Sequence, residues 1–154
     1  MEHFILLTMR IITSNVDTIT IDTNPQNFSP ADATTYYGGI GLMANSTTDT
    51  NQDFNLGFDC TLVGAVVFVT QNTTGGTSEN ITFQLRNTTQ TTSSSIGTFQ
   101  SSGASTTVCV PFTFTGLAIS VAAADSICVQ YDTPTWVTNP VATQWRALLI
   151  FKKL

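Results

Sequence analysis

Charge, and positive charge above all, is scarce in this 154-residue sequence. Only 10% of the residues are charged, against about 25% in an average soluble domain. Five are Lys or Arg and ten are Asp or Glu, so the formal net charge is −5, and no basic residue lies between Arg10 and Arg86. A protein that binds a phosphate backbone needs a basic surface. The composition therefore argues against nucleic-acid binding.

Histidine and cysteine are also scarce. The one histidine is His3, and the three cysteines, Cys60, Cys109 and Cys128, lie far apart in the sequence. A catalytic triad needs a base beside its nucleophile, and a metal site needs clustered ligands. We therefore expect neither an enzyme nor a bound metal or cofactor. The odd number and wide spacing of the cysteines predict small buried apolar side chains, with their redox state left open.

Three carboxylates, Asp49, Asp53 and Asp59, lie close together in the sequence. A facing pair of carboxylates could hydrolyse a glycosidic bond, and loop carboxylates can bind calcium. Their spacing does not match an EF-hand loop, and no phosphate-binding glycine motif occurs. We favour the interpretation that they are solvated loop carboxylates.

Long hydrophobic runs are absent. The longest candidate, residues 62–69, is interrupted by Gly64, whereas a membrane-spanning helix needs about 20 apolar residues. The sequence therefore predicts no transmembrane helix. Residues 1–15 superficially resemble a signal peptide, but Glu2 occupies the usual position of a positive charge and Arg10 interrupts a short apolar stretch. We expect no cleaved signal there.

The residues that are abundant predict a folded, uncharged molecule. Hydrophobic residues make up 42% of the sequence and aromatic residues 10%, which is enough to form a core. The polar surface must come mainly from Ser, Thr, Asn and Gln, with 29 Thr and 12 Ser in the chain. The length suits one domain. We predict an apolar N-terminal arm over residues 1–15 and a single domain over residues 16–154.

Hydrophobic alternation with a period of two recurs along the chain, and no segment has the sustained pattern of an amphipathic helix. The alternation predicts strands over 16–21, 35–43, 60–71, 80–87, 96–99, 106–115, 117–121, 126–132 and 144–153. Eight or nine short strands joined by polar turns are typical of an all-β fold. We predict a two-sheet antiparallel β-sandwich of jelly-roll type.

Two neighbouring segments give more specific expectations. Segment 60–71 alternates so little that both of its faces should be covered, as in a central strand or a strand at a subunit contact. The Gly-Gly turn in 72–79 predicts that this strand forms a hairpin with 80–87. In the second strand the inward residues should be Ile81, Phe83 and Leu85.

Later segments suggest how the chain turns. In 106–115 the apolar residues alternate so that Cys109 should face away from the apolar side. Pro111 indicates an edge strand or a bulge, because proline cannot donate to the hydrogen-bond ladder. The alanine-rich residues 122–125 are interpreted as a turn, with a short helix as the alternative. Glycines in segment 35–43 predict a bulge or a close approach of two backbones.

Several aromatic residues lie among polar loop residues. Trp136, Tyr36 and Tyr37, with Tyr131, have the neighbours that sugar-stacking platforms often have. Trp136, Tyr36 and Tyr37 are therefore candidate contacts for a glycan or a protein partner. The alternative is that Trp136 and Tyr37 close the ends of the sandwich, burying apolar area with one polar tip satisfied.

The N-terminal arm is too apolar to remain in water. Its apolar residues include Phe4, Ile5, Leu6 and Leu7, followed by Met9, Ile11 and Ile12. We predict that this arm packs against a neighbouring chain or a larger assembly, beside residues 145–151. An uncharged Thr- and Ser-rich sheet edge is also poorly protected against pairing with other chains. Both features predict self-association.

Four segments carry a resemblance to a known group of proteins. They read SPADATTYYGG at 29–39, NITFQLRN at 80–87, GLAISVAAAD at 116–125 and PTWVTNP at 134–140. In order and spacing they resemble the jelly-roll modules of bacteriophage tail-fibre, head-fibre and capsid-decoration proteins, over most of residues 29–152. These are strand and turn signatures without catalytic residues. Where that group often has Gly-Asp, this chain has Ala124 and Asp125.

The resemblance implies a component of the virion surface, commonly trimeric and without catalytic activity, whose partners are the major capsid protein or other virion proteins. It leaves two functions open. One is a capsid-decoration, cement or spike subunit that packs on the shell. The other is a receptor-binding fibre head that recognises host-surface glycans through Trp136, Tyr36 and Tyr37. A glycan-active enzyme has the least support from the residues.

Overall fold

The computed structural model describes residues 17–23, 29–40, 46–71, 79–101, 104 and 107–154. The predicted arm, with Phe4, Ile5, Leu6 and Leu7, lies outside the described residues. Nine strands occur in the described part: β1 (Thr18–Asp22), β2 (Thr35–Gly38), β3 (Phe54–Asn55), β4 (Cys60–Gln71), β5 (Asn80–Asn87), β6 (Thr92–Gln100), β7 (Val110–Val121), β8 (Ser126–Asp132) and β9 (Thr143–Lys153). One 3-10 turn, η1, spans Asp49–Asn51.

The strands form two antiparallel sheets, which confirms the predicted β-sandwich. Sheet A has the order β1-β9-β4-β7, and sheet B has the order β2-β8-β5-β6, with the short β3 also paired to β8. Strands pair from the ends of the chain inward: β1 with β9, β2 with β8, β4 with β7 and β5 with β6. These four pairs alternate between the two sheets. This is the wrapping of a jelly roll.

The core lies between the two sheets, where alternate residues of each strand face inward. In β5, Ile81, Phe83 and Leu85 are buried as predicted. Four rings meet at the centre, Phe83, Phe99, Tyr131 and Trp145. Phe83 stacks on Tyr131 with centroids 5.4 Å apart, and Trp145 meets Tyr131 edge-on at 5.3 Å. Such pairs add to the stabilisation that comes from the buried area.

The predicted hairpin of segments 60–71 and 80–87 is wrong. Strand β4 lies in sheet A between β9 and β7, whereas β5 lies in sheet B between β8 and β6. The polar Gly-Gly segment therefore connects two sheets and does not join two paired strands. The Gly-Gly signal indicates that the chain turns there. Which strands pair with each other depends on how all the strands are ordered in the two sheets.

Several strand predictions had the wrong extent, and the strand predicted at 35–43 ends at Gly38. The strand predicted at 96–99 begins at Thr92 in β6, because the backbone of the serine-rich segment pairs with β5. The strands predicted at 106–115 and 117–121 form one strand, β7, in which Gly116 adopts a φ of 70° beside a register shift against β4. Strand β7 ends the order of sheet A, in agreement with the edge position that Pro111 indicated.

Gly39 shows the close backbone approach that its segment predicted. A Cβ on this residue would lie 2.2 Å from the carbonyl oxygen of Gln52, so only glycine fits there. Strand β2 ends one residue earlier, at Gly38. The segment that contains η1 thus packs directly against the end of β2, and Ser46 forms a β-bridge with Tyr37.

The turn predicted at residues 122–125 is present. The amide of Asp125 donates to the carbonyl of Ala122 at 3.0 Å, and the tight turn joins β7 to β8. None of the helices in the described ranges has the length and apolar character that crossing a bilayer requires.

The cysteines divide into two kinds. All three are free thiols, and Cys60 and Cys128 are buried as predicted. Burial raises the pKa of Cys60 to about 11 and that of Cys128 to about 12. The prediction of burial is wrong for Cys109, which is exposed. It precedes edge strand β7 and faces away from the core, as the alternation indicated.

Candidate functional site

An apolar surface occupies the outer side of sheet A. We call it the A face, and it consists of Val66 and Phe68 of β4 with Leu148 and Ile150 of β9. Val66 lies opposite Leu148, and Gly64 next to it lies opposite Ile150. All four A-face side chains are half-buried. Outward residues of a sheet that faces water are ordinarily polar, so this surface departs from the usual pattern.

The strand on one side of the A face is uncharged, and the strand on the other side contributes a carboxylate. On the β7 side Thr113 lies opposite Val66, and Pro111 lies opposite Phe68. On the β1 side Thr20 lies opposite Ile150, and Asp22 lies opposite Leu148. The centre of this surface is therefore apolar, and Asp22 is the charged residue beside it on β1.

An ion pair lies directly beside the A face, with Arg146 opposite Phe68 and Asp22 opposite Leu148. The Nε of Arg146 donates to Asp22 Oδ1 at 2.8 Å, and its Nη2 donates to the other carboxylate oxygen. The hydrogen bond to Asp22 raises the pKa of Arg146. Both groups are exposed, so the pair adds little to stability. Its effect on the surface is to neutralise the positive charge nearest Phe68.

A shallow groove continues the A face towards β7. It has a volume of about 200 Å³ and is lined by Phe68, Thr70, Cys109, Gln144 and Arg146. The aromatic ring of Phe68 belongs to both the groove and the A face. The exposed thiol of Cys109 thus lies within the same surface.

The outer side of sheet B is polar and extensively hydrogen-bonded. Asp132 is the centre of this network, because its carboxylate accepts hydrogen bonds from Thr35 at 2.7 Å, from Gln130 at 3.0 and 3.1 Å, and from Gln84. The hydroxyl of Ser93 donates to the amide oxygen of Gln130 at 2.7 Å. Polar side chains that already form hydrogen bonds with each other gain little from contact with another molecule. The outer surfaces of the two sheets therefore differ in chemistry.

The three carboxylates that lie close together in the sequence each bind a different partner. Asp49 pairs with Arg86 at 2.9 Å. Asp53 accepts a hydrogen bond from Thr88 at 3.0 Å, and Asp59 accepts one from the amide of Ala123 at 2.8 Å. Each carboxylate is thus engaged in fixing a turn or a strand end.

Segments 29–36 and 133–142 form one loop cluster at an end of the sandwich. Thr133 is central to it, because its hydroxyl donates to the carbonyls of Ala31 and Thr34 and accepts from the amide of Thr34, all within 2.9 Å. Asn139 donates to the carbonyl of Pro30 at 3.1 Å. Ala33 and Ala142 adopt positive φ angles of 44° and 49°. Such strained residues persist only where the surroundings fix them.

The three predicted contact aromatics are not gathered on one surface. Trp136 is buried, with 5% of its surface exposed, and belongs to the core. Tyr36 also packs against the core, and its hydroxyl accepts a hydrogen bond from the amide of Ala31 at 2.9 Å. Tyr37 lies on the outer side of sheet B opposite Gln130, where burial and the nearby Asp49 raise its pKa. Their predicted contact with a glycan stays a prediction.

Half of the A face could be predicted from the sequence. The weak alternation of segment 60–71 indicated that the strand would be covered on both sides, and Val66 and Phe68 are its outward residues. Leu148 and Ile150 complete the surface because β9 pairs with β4, and that pairing is not readable from either segment. The Asp132 network was not predicted, because its residues come from β2, β5, β6 and β8.

No three His, Cys, Asp or Glu side chains in the described ranges are placed to hold a metal ion together. The absence of a cofactor and of enzymatic activity remains a prediction from the sequence.

Comparisons with known proteins come from solved structures. No protein-family model and no curated protein sequence matches this chain. The capsid asymmetric unit of cyanophage Pam1 has a chain similar to 92% of this one over 90% of its own length, with 12% identity and a TM-score of 0.49. A chain of infectious bursal disease virus, Gx strain, is similar over 88% of this chain and 36% of its own length, with 13% identity and a TM-score of 0.33. The assignment of a jelly roll rests on the strand pairing described above.

Proposed function

We propose that this protein is a non-enzymatic structural subunit of a virus particle, of the decoration, cement or spike kind. It associates with copies of itself and packs on the viral shell. The observation that carries the proposal is the A face, an apolar surface on the outer side of one sheet whose neighbouring charges, Asp22 and Arg146, are paired with each other. The strand and turn signatures that resemble phage jelly-roll modules supply the viral setting, and they favour a trimer.

The contrast between the two sheets supports self-association. In sheet B the outward side chains satisfy each other through Asp132 and Gln130. In sheet A the outward residues at the centre are Val, Phe, Leu and Ile, for which burial against another apolar surface is favourable by about 25 cal/mol per Å². An apolar cluster on the outer side of a sheet is a candidate interaction site. The A face is thus the side that a neighbouring subunit would cover.

Recognition of host glycans is the alternative function, and the geometry supports it less. Of the three aromatic residues proposed for it, Trp136 is buried and Tyr36 packs inward. Specific binding to a glycan array that Tyr37→Ala abolishes would favour the alternative. Trp136→Ala is a poor test of binding because it would open a cavity in the core.

Electron microscopy of purified particles tests the proposed location. We expect mass spectrometry to find this chain in particles from the virus that encodes it, and the reconstruction to show jelly-roll density on the shell. The density should persist after a wash in 1 M salt, because apolar contacts are not screened by ions. Absence of the chain from purified particles would contradict the proposal.

A further inference from the structure

The A face is a candidate docking surface, and the chain itself contains a segment that is also apolar. Residues 4–12 include seven apolar side chains, namely Phe4, Ile5, Leu6, Leu7, Met9, Ile11 and Ile12, and one charge, Arg10. The A face offers Val66, Phe68, Leu148 and Ile150 together with the adjoining groove. Both surfaces are apolar, and the charged residues beside the A face, Asp22 and Arg146, are paired with each other.

This segment joins the domain at one end of sheet A. The carbonyl of Asp17 accepts a hydrogen bond from the amide of Lys153 at 2.7 Å. Lys153 is the last residue of β9, so the junction lies at the end of sheet A. The A face and its groove extend from there along β9 towards Gln144. The proposed self-association makes the A face of a neighbouring copy the acceptor of the segment.

The length of the segment permits such an exchange. Extended chain spans about 3.3 Å per residue, so the 16 residues before Asp17 can reach about 50 Å. That distance exceeds the width of a four-stranded sheet, in which strands lie about 4.8 Å apart. The segment can therefore cross from one subunit onto the sheet of the next.

We propose that residues 4–12 of one copy dock on the A face and groove of a neighbouring copy, over Phe68 and beside Cys109. This inference rests on the proposed self-association and names the contact that produces it. The arm of each subunit covers the apolar surface of the next. Continued around a ring, this exchange buries every A face.

Cys109 supplies a native reporter for the test, because it lies in the groove and is exposed. Cys60 and Cys128 are buried with raised pKa values, so they react slowly. The rate of maleimide modification of Cys109 is measured for the full chain and for a variant lacking residues 2–12. Cys109→Ser gives the background. We expect Cys109 in the full chain to react at least tenfold more slowly at concentrations where it is oligomeric.

Dilution distinguishes protection by the arm of a neighbouring copy from protection by the chain's own arm. Protection by a neighbour's arm is lost when the oligomer dissociates, whereas protection by the chain's own arm is independent of concentration. A second variant, Leu6→Cys, treated with an added diazene oxidant that takes up the two electrons and two protons of the thiols, should form a disulfide with Cys109 that joins two chains on a denaturing gel. Protection that survives dilution, with an internal disulfide, would overturn the proposal.

Further outcomes keep the proposal distinct from the proposed function. If the full chain and the arm-deleted variant are both oligomeric and their Cys109 residues react equally fast or equally slowly, arm docking is wrong while self-association stands. If the full chain is monomeric at all concentrations, self-association itself is wrong. Should the deletion fail to fold, Leu6→Asp in the full chain replaces it, and faster reaction of Cys109 is expected.

Discussion

At the scale of single residues, buried polar groups are stabilised by specific donors. Asp125 is the clearest case among the described residues, with 5% of its surface exposed. Its carboxylate accepts hydrogen bonds from the amide of Ala122 at 2.9 Å and from Gln90 at 3.1 and 3.2 Å. The Ala122 amide is the main reason that the pKa of Asp125 is lowered from its ordinary value of 3.8. The charged form is thus bound to the turn before β8.

Asp125→Ala should therefore destabilise the protein in a pH-dependent way. At pH 7 the expected loss is about 1–3 kcal/mol, because the donors lose a buried charged acceptor. A lowered pKa in the folded state means that this contribution is complete above about pH 4 and disappears as the pH falls through the folded pKa. Urea unfolding at pH 7 and at pH 2.5 should show the difference from the parent shrinking at low pH.

Asp53→Ala is the matched control, since Asp53 is exposed and accepts one hydroxyl donor. Its effect should stay under about 0.5 kcal/mol. A loss from Asp125→Ala that is equally large at both pH values would show that the charged form is not what the turn binds.

At the scale of elements, the two sheets meet closely where β6 and β7 cross. A Cβ on Gly97 of β6 would lie 2.4 Å from the Cε1 of Phe114 in β7. The ring of Phe114 therefore fills the space that a side chain at Gly97 would need. This contact joins edge strands of different sheets on the open side of the sandwich.

Gly97→Ala should destabilise the protein by about 1–3 kcal/mol through overpacking. Combined with Phe114→Leu, which makes room, the loss should be smaller than the sum of the two single losses by about 0.5 kcal/mol or more. Gly116→Ala is the control, because its Cβ meets no atom within 4 Å and its cost comes from the positive φ. Chemical denaturation of all variants measures these effects, and strict additivity for Gly97 and Phe114 would contradict the contact.

The elements also show how far sequence reasoning extends. Period-two alternation found β5 and β8 with correct bounds, because buried faces impose the pattern directly, whereas β4 was found by its run of β-branched and aromatic residues. The serine-rich part of β6 was missed, since its strand state comes from backbone pairing with β5 and not from apolar side chains. The predicted pairing of β4 with β5 was wrong because strand pairing depends on the topology of the whole fold, which puts these two strands in different sheets. Trp136 had two interpretations from the sequence, and only three-dimensional packing distinguishes a core position from a loop platform.

At the scale of the whole molecule, the jelly-roll topology pairs strands that are mostly distant from each other in the sequence. Thr18 of β1 lies opposite Lys152 of β9, so almost the entire chain must be ordered before this pair forms. Closing such long loops is entropically unfavourable, and folds of this kind fold slowly.

We therefore expect refolding on the scale of milliseconds to seconds. Stopped-flow measurement of tryptophan fluorescence reports it, because Trp145 is buried among the core rings. Folding completed in microseconds would contradict the dependence on distant pairs.

The low charge of the chain bears on how whole molecules associate. Between Arg86 and Arg146 the only charged residues are Asp125 and Asp132, and both are engaged in internal hydrogen bonds. Little charge is therefore available on β6, β7 and β8 to attract or repel a neighbouring subunit. Association through the A face should be insensitive to salt.

Sedimentation velocity of the full chain and of Val66→Lys tests the central claim most directly. The parent should be oligomeric in both 0.15 M and 1 M salt. Val66→Lys should be mainly monomeric, because the residues opposite Val66 are Leu148 and Thr113 and a charge there cannot be buried without a partner. Thr98→Lys, at an exposed position on β6 of sheet B, should leave the oligomer intact. An oligomer that survives Val66→Lys but dissociates in high salt would contradict the account.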